Sequence, residues 1–425
     1  MSRIRKVITA TLAVFLLANA GPVWAGENEM MDALIHKLVE KGVLTREEAR
    51  EIRQEVAEEA GKMARSREAD VKDTVKKMAG GSWLEKVQWS GDLRLRHESQ
   101  LREPAADRQR ERFRLRMGLK AKPWDPLEIG VRLATGSSGD PVSTNQSFAS
   151  TFDKKAVFID QAYAKYTPWS WLALTGGKME NPFVIIPEGV VWDHDVTPEG
   201  VVAHWALPGE SPVRPFATAG AFQISELSND TGDPALFGAQ VGANVTWPWW
   251  GVTWRPSVAY YDVTGVEGKR TADVTNAPAG NSTDGAAAAA RFRYDYDLVS
   301  LANTIAIPAI WGQAVTLLHD YTHNTGANDD GGAYMVGLEV GKVTGQLGSW
   351  KAGYFYKWLE ADATFGAITD SDFGAGGTNH FGHIMGLTVG LNKHASAGIK
   401  YVRTDEISGS QNKVDTLQAD VQMKF

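Results

Sequence analysis

Arg110-Glu111-Arg112-Phe113-Arg114-Leu115-Arg116-Met117-Gly118-Leu119-Lys120-Ala121-Lys122 repeats with a period of two. Phe113, Leu115, Met117, Leu119 and Ala121 fall on one side. Arg110, Arg112, Arg114, Arg116, Lys120 and Lys122 fall on the other. A helix would scatter these residues around its axis, whereas an extended strand sends successive side chains to opposite faces. The stretch is a strand with one apolar and one strongly basic face. The run before it repeats the pattern, setting Trp89, Leu93 and Leu95 against Asp92, Arg94 and Arg96. Residues 127–135 continue it, with Ile129, Val131 and Leu133 against Glu128 and Arg132.

The same alternation runs to the chain end, where Leu417, Ala419, Val421, Met423 and Phe425 alternate with Thr416, Gln418, Asp420, Gln422 and Lys424. Between the strands the punctuation is regular. Short connections rich in Pro, Trp and Gly fall at 122–126, 167–170, 208–212, 247–251, 308–311, 344–348 and 392–394. Longer polar stretches lie near 99–109, 137–155, 179–198, 225–235, 264–285, 324–332, 363–379 and 407–412. Seven short turns alternating with eight long loops give about sixteen strands, with 286–307 open to reading as one strand or a hairpin. This pattern predicts an all-β transmembrane barrel of about 16 antiparallel strands over 83–425. Lipid cannot satisfy open backbone groups, so a spanning sheet closes on itself. Trp124, Trp169, Trp171, Trp247, Trp249, Trp250, Trp254 and Trp311 cluster at or beside short turns, as an interfacial girdle on one rim would.

Composition agrees with a barrel. The 425 residues carry net charge −7, 43 Gly, 15 Trp and no Cys. Mean hydropathy is −0.27, too low for a polytopic helical membrane protein but natural where only every second residue meets lipid. The lack of Cys excludes a disulfide framework, a Cys-based metal site and a thiol nucleophile.

Upstream, Arg3, Arg5 and Lys6 precede the apolar run 7–18 and the small residues ending at Ala25. This is the form of a secretory signal peptide over 1–25. Residues 26–82 predict an α-helical periplasmic extension: 28–79 lack Pro, and Met31, Leu34, Ile35, Leu38 and Val39 sit at helical spacing. Thr45 and Glu48 form a capping box. The narrow stripe of Ala49, Ile52, Val56 and Met63 suits a coiled coil or a helix packed on a partner. A solvated spacer has the same pattern.

Gly91–Glu98 followed by Arg110–Ala121 resembles the opening of the putative porin family of Gram-negative outer membranes. Ile159–Tyr166, Gly176–Phe183, Leu318–Asn324 and the terminal Phe425 are similar to later family segments. The Gly176–Phe183 element is also similar to phosphate-selective porins. The resemblance covers about 87–425 and implies a water-filled diffusion channel, often a homotrimer, leaving the solute open.

If the apolar faces meet lipid, Arg94, Arg96, Arg110, Arg112, Arg114, Arg116, Lys120 and Arg132 line the lumen. An outward Arg at the membrane midplane would cost ~2–4 kcal/mol. A basic wall favours anions, although arginines paired with barrel acids would do no more than fill the wall. The loop 179–198 combines apolar Phe183, Val184, Ile185, Ile186 and Trp192 with Glu188, Asp193 and Asp195. Folded inward it buries its apolar residues and presents its acids to the arginines as a constriction. Left outside, it is a lid or a subunit contact. Asp193-His194-Asp195 also reads as a metal site, but adjacent residues point apart.

The expected function is a passive porin for small hydrophilic solutes or anions, with no catalytic residues, metal or cofactor. Its expected partners are outer-membrane lipid, lipopolysaccharide, the assembly machinery that reads Phe425 and further copies of the chain, but not nucleic acid. The alternatives are an outer-membrane enzyme and a soluble exported carbohydrate-binding β protein. Deleting 28–79 is expected to leave the barrel folded and to remove or weaken cross-linked oligomers. Cross-linking of full-length and deleted protein in parallel checks this.

Overall fold

In a computed structural model the described residues are 37–42, 45, 47–51, 54, 87–228, 232–275, 277–285 and 289–425. The signal peptide expected at 1–25 and most of the extension at 26–82 lie outside them. The chain divides into two units, Met1–Glu85 and Lys86–Phe425. In the first, 37–40 and 47–51 are helical. The Glu48 amide donates to the Thr45 hydroxyl at 3.2 Å while the Thr45 amide donates to the Glu48 carboxylate at 2.9 Å, which is a capping box.

The second unit is one closed antiparallel sheet of sixteen strands. They are β1 (Gln88–Glu103), β2 (Arg108–Trp124), β3 (Leu127–Thr135), β4 (Val157–Trp169), β5 (Leu172–Lys178), β6 (Glu199–Ala206), β7 (Val213–Gln223) and β8 (Ala235–Trp247). The second half is β9 (Val252–Thr264), β10 (Tyr296–Ile310), β11 (Gln313–Asn324), β12 (Gly332–Gly341), β13 (Trp350–Leu359), β14 (His380–Gly390), β15 (Ala395–Glu406) and β16 (Lys413–Lys424). Each strand pairs with its neighbours in sequence, and β1 pairs with β16 from Asp92↔Lys424 to Glu103↔Lys413. Among the described residues no helix is long and apolar enough to cross a membrane.

The seven short connections fall where the Pro, Trp and Gly clusters placed them, and 296–310 is a single strand. The stretch 99–109 is not a long loop. β1 and β2 run on to Glu103 and from Arg108, leaving a four-residue turn. Their polar side chains there belong to strands that extend beyond the apolar band. Leu95, Met117, Val241, Leu338, Leu387 and Val421 are exposed on the outer face. The tryptophans stand at the short-turn rim, Trp169 and Trp171 stacked at 4.9 Å and Trp247 and Trp254 at 6.2 Å.

The seam closes at the last residue. The Gly91 amide donates to the Phe425 carbonyl at 2.8 Å and the Phe425 amide donates back to Gly91 at 3.0 Å. The Phe425 ring covers Gly91, where an added Cβ would sit 2.5 Å from the ring and 2.9 Å from the Arg116 carbonyl oxygen. The ring can swing away, but the Arg116 backbone cannot. Gly91→Val is therefore expected to cut the yield of folded barrel at least by half, read as heat-modifiable gel migration.

Candidate functional site

The inward arginines lie against acids drawn from the whole chain. Asp92 accepts from Arg114 at 2.8 Å and from Arg116 at 2.6 Å. Glu98, 1% exposed, takes Arg110 and, at 3.1 Å, Arg112. Arg96 binds Asp420 on β16 at 2.8 Å and Asp372 at 3.1 Å. Arg132 binds Asp160. Arg94 and Lys120 differ from the rest. Arg94 donates to the neutral Asn145 amide oxygen at 2.7 Å, its Nε has no partner, and no carboxylate among the described residues pairs with either cation.

Register explains Asp160. The β3–β4 ladder pairs Arg132 with Gln161 and Leu133 with Ile159, so Asp160 is the extra residue of a bulge. The bulge turns the carboxylate to the arginine.

Loop 3 (179–198) crosses the lumen. The Val184 amide donates to Gln240 of β8 at 2.7 Å, and the Val190 amide donates to Asp320 of β11 at 2.9 Å. Glu188 holds Lys400 of β15 at 2.8 Å, and Asp195 holds Arg116 of β2 at 3.2 Å. Its apolar residues are buried against the wall, with Phe183 edge-on to Tyr261 at 5.0 Å and Trp192 edge-on to Tyr261 at 5.6 Å. Gly238 makes this fit, since a Cβ there would lie 2.4 Å from the Phe183 ring.

The three acids of loop 3 thus go to three places. Glu188 meets β15 and Asp195 meets the arginine wall. Asp193 meets loop 7 (360–379): its amide donates to the Ile368 carbonyl at 2.7 Å and its carboxylate accepts from the Ser371 amide at 2.9 Å. Loop 2 (136–156) joins them, as Thr144 donates to Asp195 at 2.9 Å and Ser371 donates to the Val142 carbonyl at 2.9 Å. Burial, reinforced by the Asp370 charge, pushes the Asp193 carboxyl up to about 8. Burial also opposes ionisation of Asp195 and Asp370. Arg114 and Arg116 outweigh it at Asp195, and Lys357 outweighs it at Asp370, holding both below the usual carboxylate range.

Two cavities flank this junction. One of about 810 Å³ is lined by Thr144, Asp160, Trp192 and Asp195. Another of about 200 Å³ is lined by Asp92, Arg116, Arg132 and Lys424. In the pairs Arg116–Asp195 and Arg132–Asp160 the acid lines the first cavity and the arginine lines the second.

The sequence pattern did not mark Asp92, Glu98, Asp160, Asp372 and Asp420 as partners of the basic wall. For Asp92, Glu98 and Asp420 the inward alternation was the available signal. Among the described residues no group of three His, Asp or Glu side chains converges as a metal site.

Residues 100–304 and 294–425 match the family described as putative porin. A comparison with curated proteins finds no match. The fold is similar to Pseudomonas putida OprB in its high-pH structure, with TM-score 0.54 and 12% identity over 80% of this chain and 95% of that one. It also aligns with OccK8 (OprE) of Pseudomonas aeruginosa at TM-score 0.46 and 9% identity, over 81% and 99% of the two chains. A loop-deletion mutant of OmpT, an outer membrane protein of Vibrio cholerae, aligns at 0.47 and 11% over 80% and 100%. The family match runs through the barrel from the first hairpin to the last residue, so the chain belongs to the putative porin family and is an outer-membrane porin channel.

Proposed function

We propose that the channel passes small hydrophilic solutes by passive diffusion, with a bias towards anions, and that its constriction lies where Arg116 meets Asp195 and Arg132 meets Asp160. The observation that carries this reading is the position of the two pairs between the two cavities. A solute crossing from one cavity to the other passes acids and arginines set side by side, which orders water and imposes a local field. The bias rests on Arg94 and Lys120, the two cations of the basic wall without an acid partner.

In the same reading 1–25 directs export, 26–82 forms the periplasmic extension, and the barrel assembles as a homotrimer. The outer apolar band meets lipid and lipopolysaccharide, and Phe425 is the residue read by the assembly machinery. The support is the signal-like N-terminus, the Pro-free helical pattern and the alternating last strand.

Replacing Asp193 and Asp195 together by Ala frees loop 3 from loops 2 and 7 and leaves Arg116 uncompensated on one side. Single-channel recording in KCl is expected to show at least a twofold change in conductance and a reversal potential shifted towards anions. Unchanged values would remove loop 3 from the constriction.

The loop junction also has a pH window. Asp193 titrates above its ordinary value, so its contribution is complete in acid and is lost as pH rises through about 8. Asp195 and Asp370 titrate low, so theirs is present above the usual carboxylate range and is lost in stronger acid. Open-channel noise is expected to be lowest near pH 4, to rise as pH increases from there, and to level off above about pH 8. Asp193→Asn should abolish that rise.

A further inference from the structure

The basic wall is largely neutralised, but a second group of inward cations is not. Lys165 of β4, Arg214 of β7 and Arg255 of β9, with the neutral imidazole of His204 of β6 among them, lie on the inner face, towards the short turns. The neighbours that share their face are inward: Val202, Phe216, Thr218, Ser257 and Ala259 are all buried. Lys165, Arg214 and Arg255 are themselves exposed to the lumen. No carboxylate among the described residues pairs with any of these three. Glu128 stands opposite Lys165 in register, but its carboxylate accepts from the Tyr163 hydroxyl at 3.1 Å.

The group is built, not scattered. Arg214 is paired in register with Asn244. The β8–β9 register, which pairs Trp254 with Val245 and Ser257 with Gly242, sets Arg255 against the same Asn244. The two arginines therefore stand on strands two apart, with backbones about 10 Å from each other, a span their side chains close around one small ion. The Arg255 guanidinium lies 5.6 Å over the Phe216 ring, and the His204 ring stacks on that ring at 6.3 Å and 27°. His204 Nδ1 is 2.8 Å from the Thr218 hydroxyl, which fixes the imidazole. Gly242 makes room for the arrangement, since a Cβ there would lie 2.4 Å from Phe216 Cζ. Lys165 and Arg255 both act electrostatically on His204, which sits between them.

We propose that Lys165, His204, Arg214 and Arg255 form a docking shelf for a small oxyanion carrying two or more charges, such as inorganic phosphate or a dicarboxylate. Two guanidinium forks match planar oxygen pairs, and stacking on Phe216 holds one fork ready. Asn244 supplies an amide between them. The role in transport rests on the lumen conducting: an ion leaving the constriction towards the short turns meets free cations there, whereas the arginines behind it already hold acids. The shelf thereby names the solute class that the channel concentrates.

The test is isothermal titration of inorganic phosphate into folded full-length protein in detergent at pH 7 and low salt, paired with planar-bilayer recording. Wild type is expected to bind phosphate at one site and to lose chloride current when phosphate is added on the short-turn side. The triple variant Lys165→Gln, Arg214→Gln, Arg255→Gln should bind at least tenfold more weakly, with folding checked by heat-modifiable migration. Should the triple variant not fold, Arg214→Gln and Arg255→Gln singly are each expected to weaken binding at least threefold. No phosphate binding by wild type, or undiminished binding by the folded variants, overturns the shelf. Phosphate binding by a wild-type protein that gives no conductance steps overturns its role in transport and leaves the shelf standing.

Discussion

Closure of the backbone hydrogen-bond ladder is the constraint from which the rest follows. Hydrocarbon offers no partner to a free amide or carbonyl, so sixteen strands must leave no edge. The seam between β1 and β16 joins residues more than three hundred positions apart in sequence, and the reciprocal bonds of Gly91 and Phe425 finish it. Once the sheet is closed, the period of two sorts every strand. What lipid accepts goes outside, and charge goes inside, where it must find water or an opposite charge.

A sixteen-stranded barrel is too wide for strand side chains to fill, and the strands do not treat the lumen evenly. β1–β3 turn arginines inward. β8–β13 turn Leu236, Tyr261, Leu298, Leu318, Met335 and Phe355 inward beside polar residues such as Gln240, Ser257, Asp320 and Lys357, so large apolar side chains stand on both faces. That is stable only because loops supply an apolar partner. Loop 3 brings Phe183, Val190, Val191 and Trp192, while Phe292, Phe365 and Phe373 come from the connections after β9 and β13. Asn281 ties those two connections together, donating to the Ala361 and Thr364 carbonyls at 2.8 Å each and accepting from the Gly366 amide. Half of the barrel is packed like a soluble core, and the wet path is left beside the arginines.

The legible part of this design is its local part. Alternation and turn chemistry act over a few residues, so strand faces, the seven short turns and the span of loop 3 could be read directly from the sequence. The inward fold of loop 3 was legible because Phe183 and Trp192 have no place in open water. The partners of the arginines were not, because pairing is set by closure: Arg96 finds Asp420 across the seam and Asp372 from a loop 276 residues away. Asp160 escaped strict alternation because one bulge residue exchanges the faces. The first hairpin reads as a loop for the opposite reason, since strands that rise past the lipid carry polar residues on both faces.

The arginines show why inward placement alone does not make a basic pore. A buried guanidinium is costly without an acid, and removing one partner of a buried pair costs roughly 3–5 kcal/mol. Most members of the ladder are therefore matched by Asp92, Glu98, Asp160, Asp195, Asp372 or Asp420. Such pairs bind loops 3 and 7 to the wall and shape the opening, but they cancel most of their own far field. Charge that acts on a passing ion must stay unmatched by an acid, as at Arg94, Lys120, Lys165, Arg214 and Arg255. In the reading proposed above, the two populations of cations do different work: matched arginines hold the constriction in place, and unmatched cations set which solutes gather on either side of it.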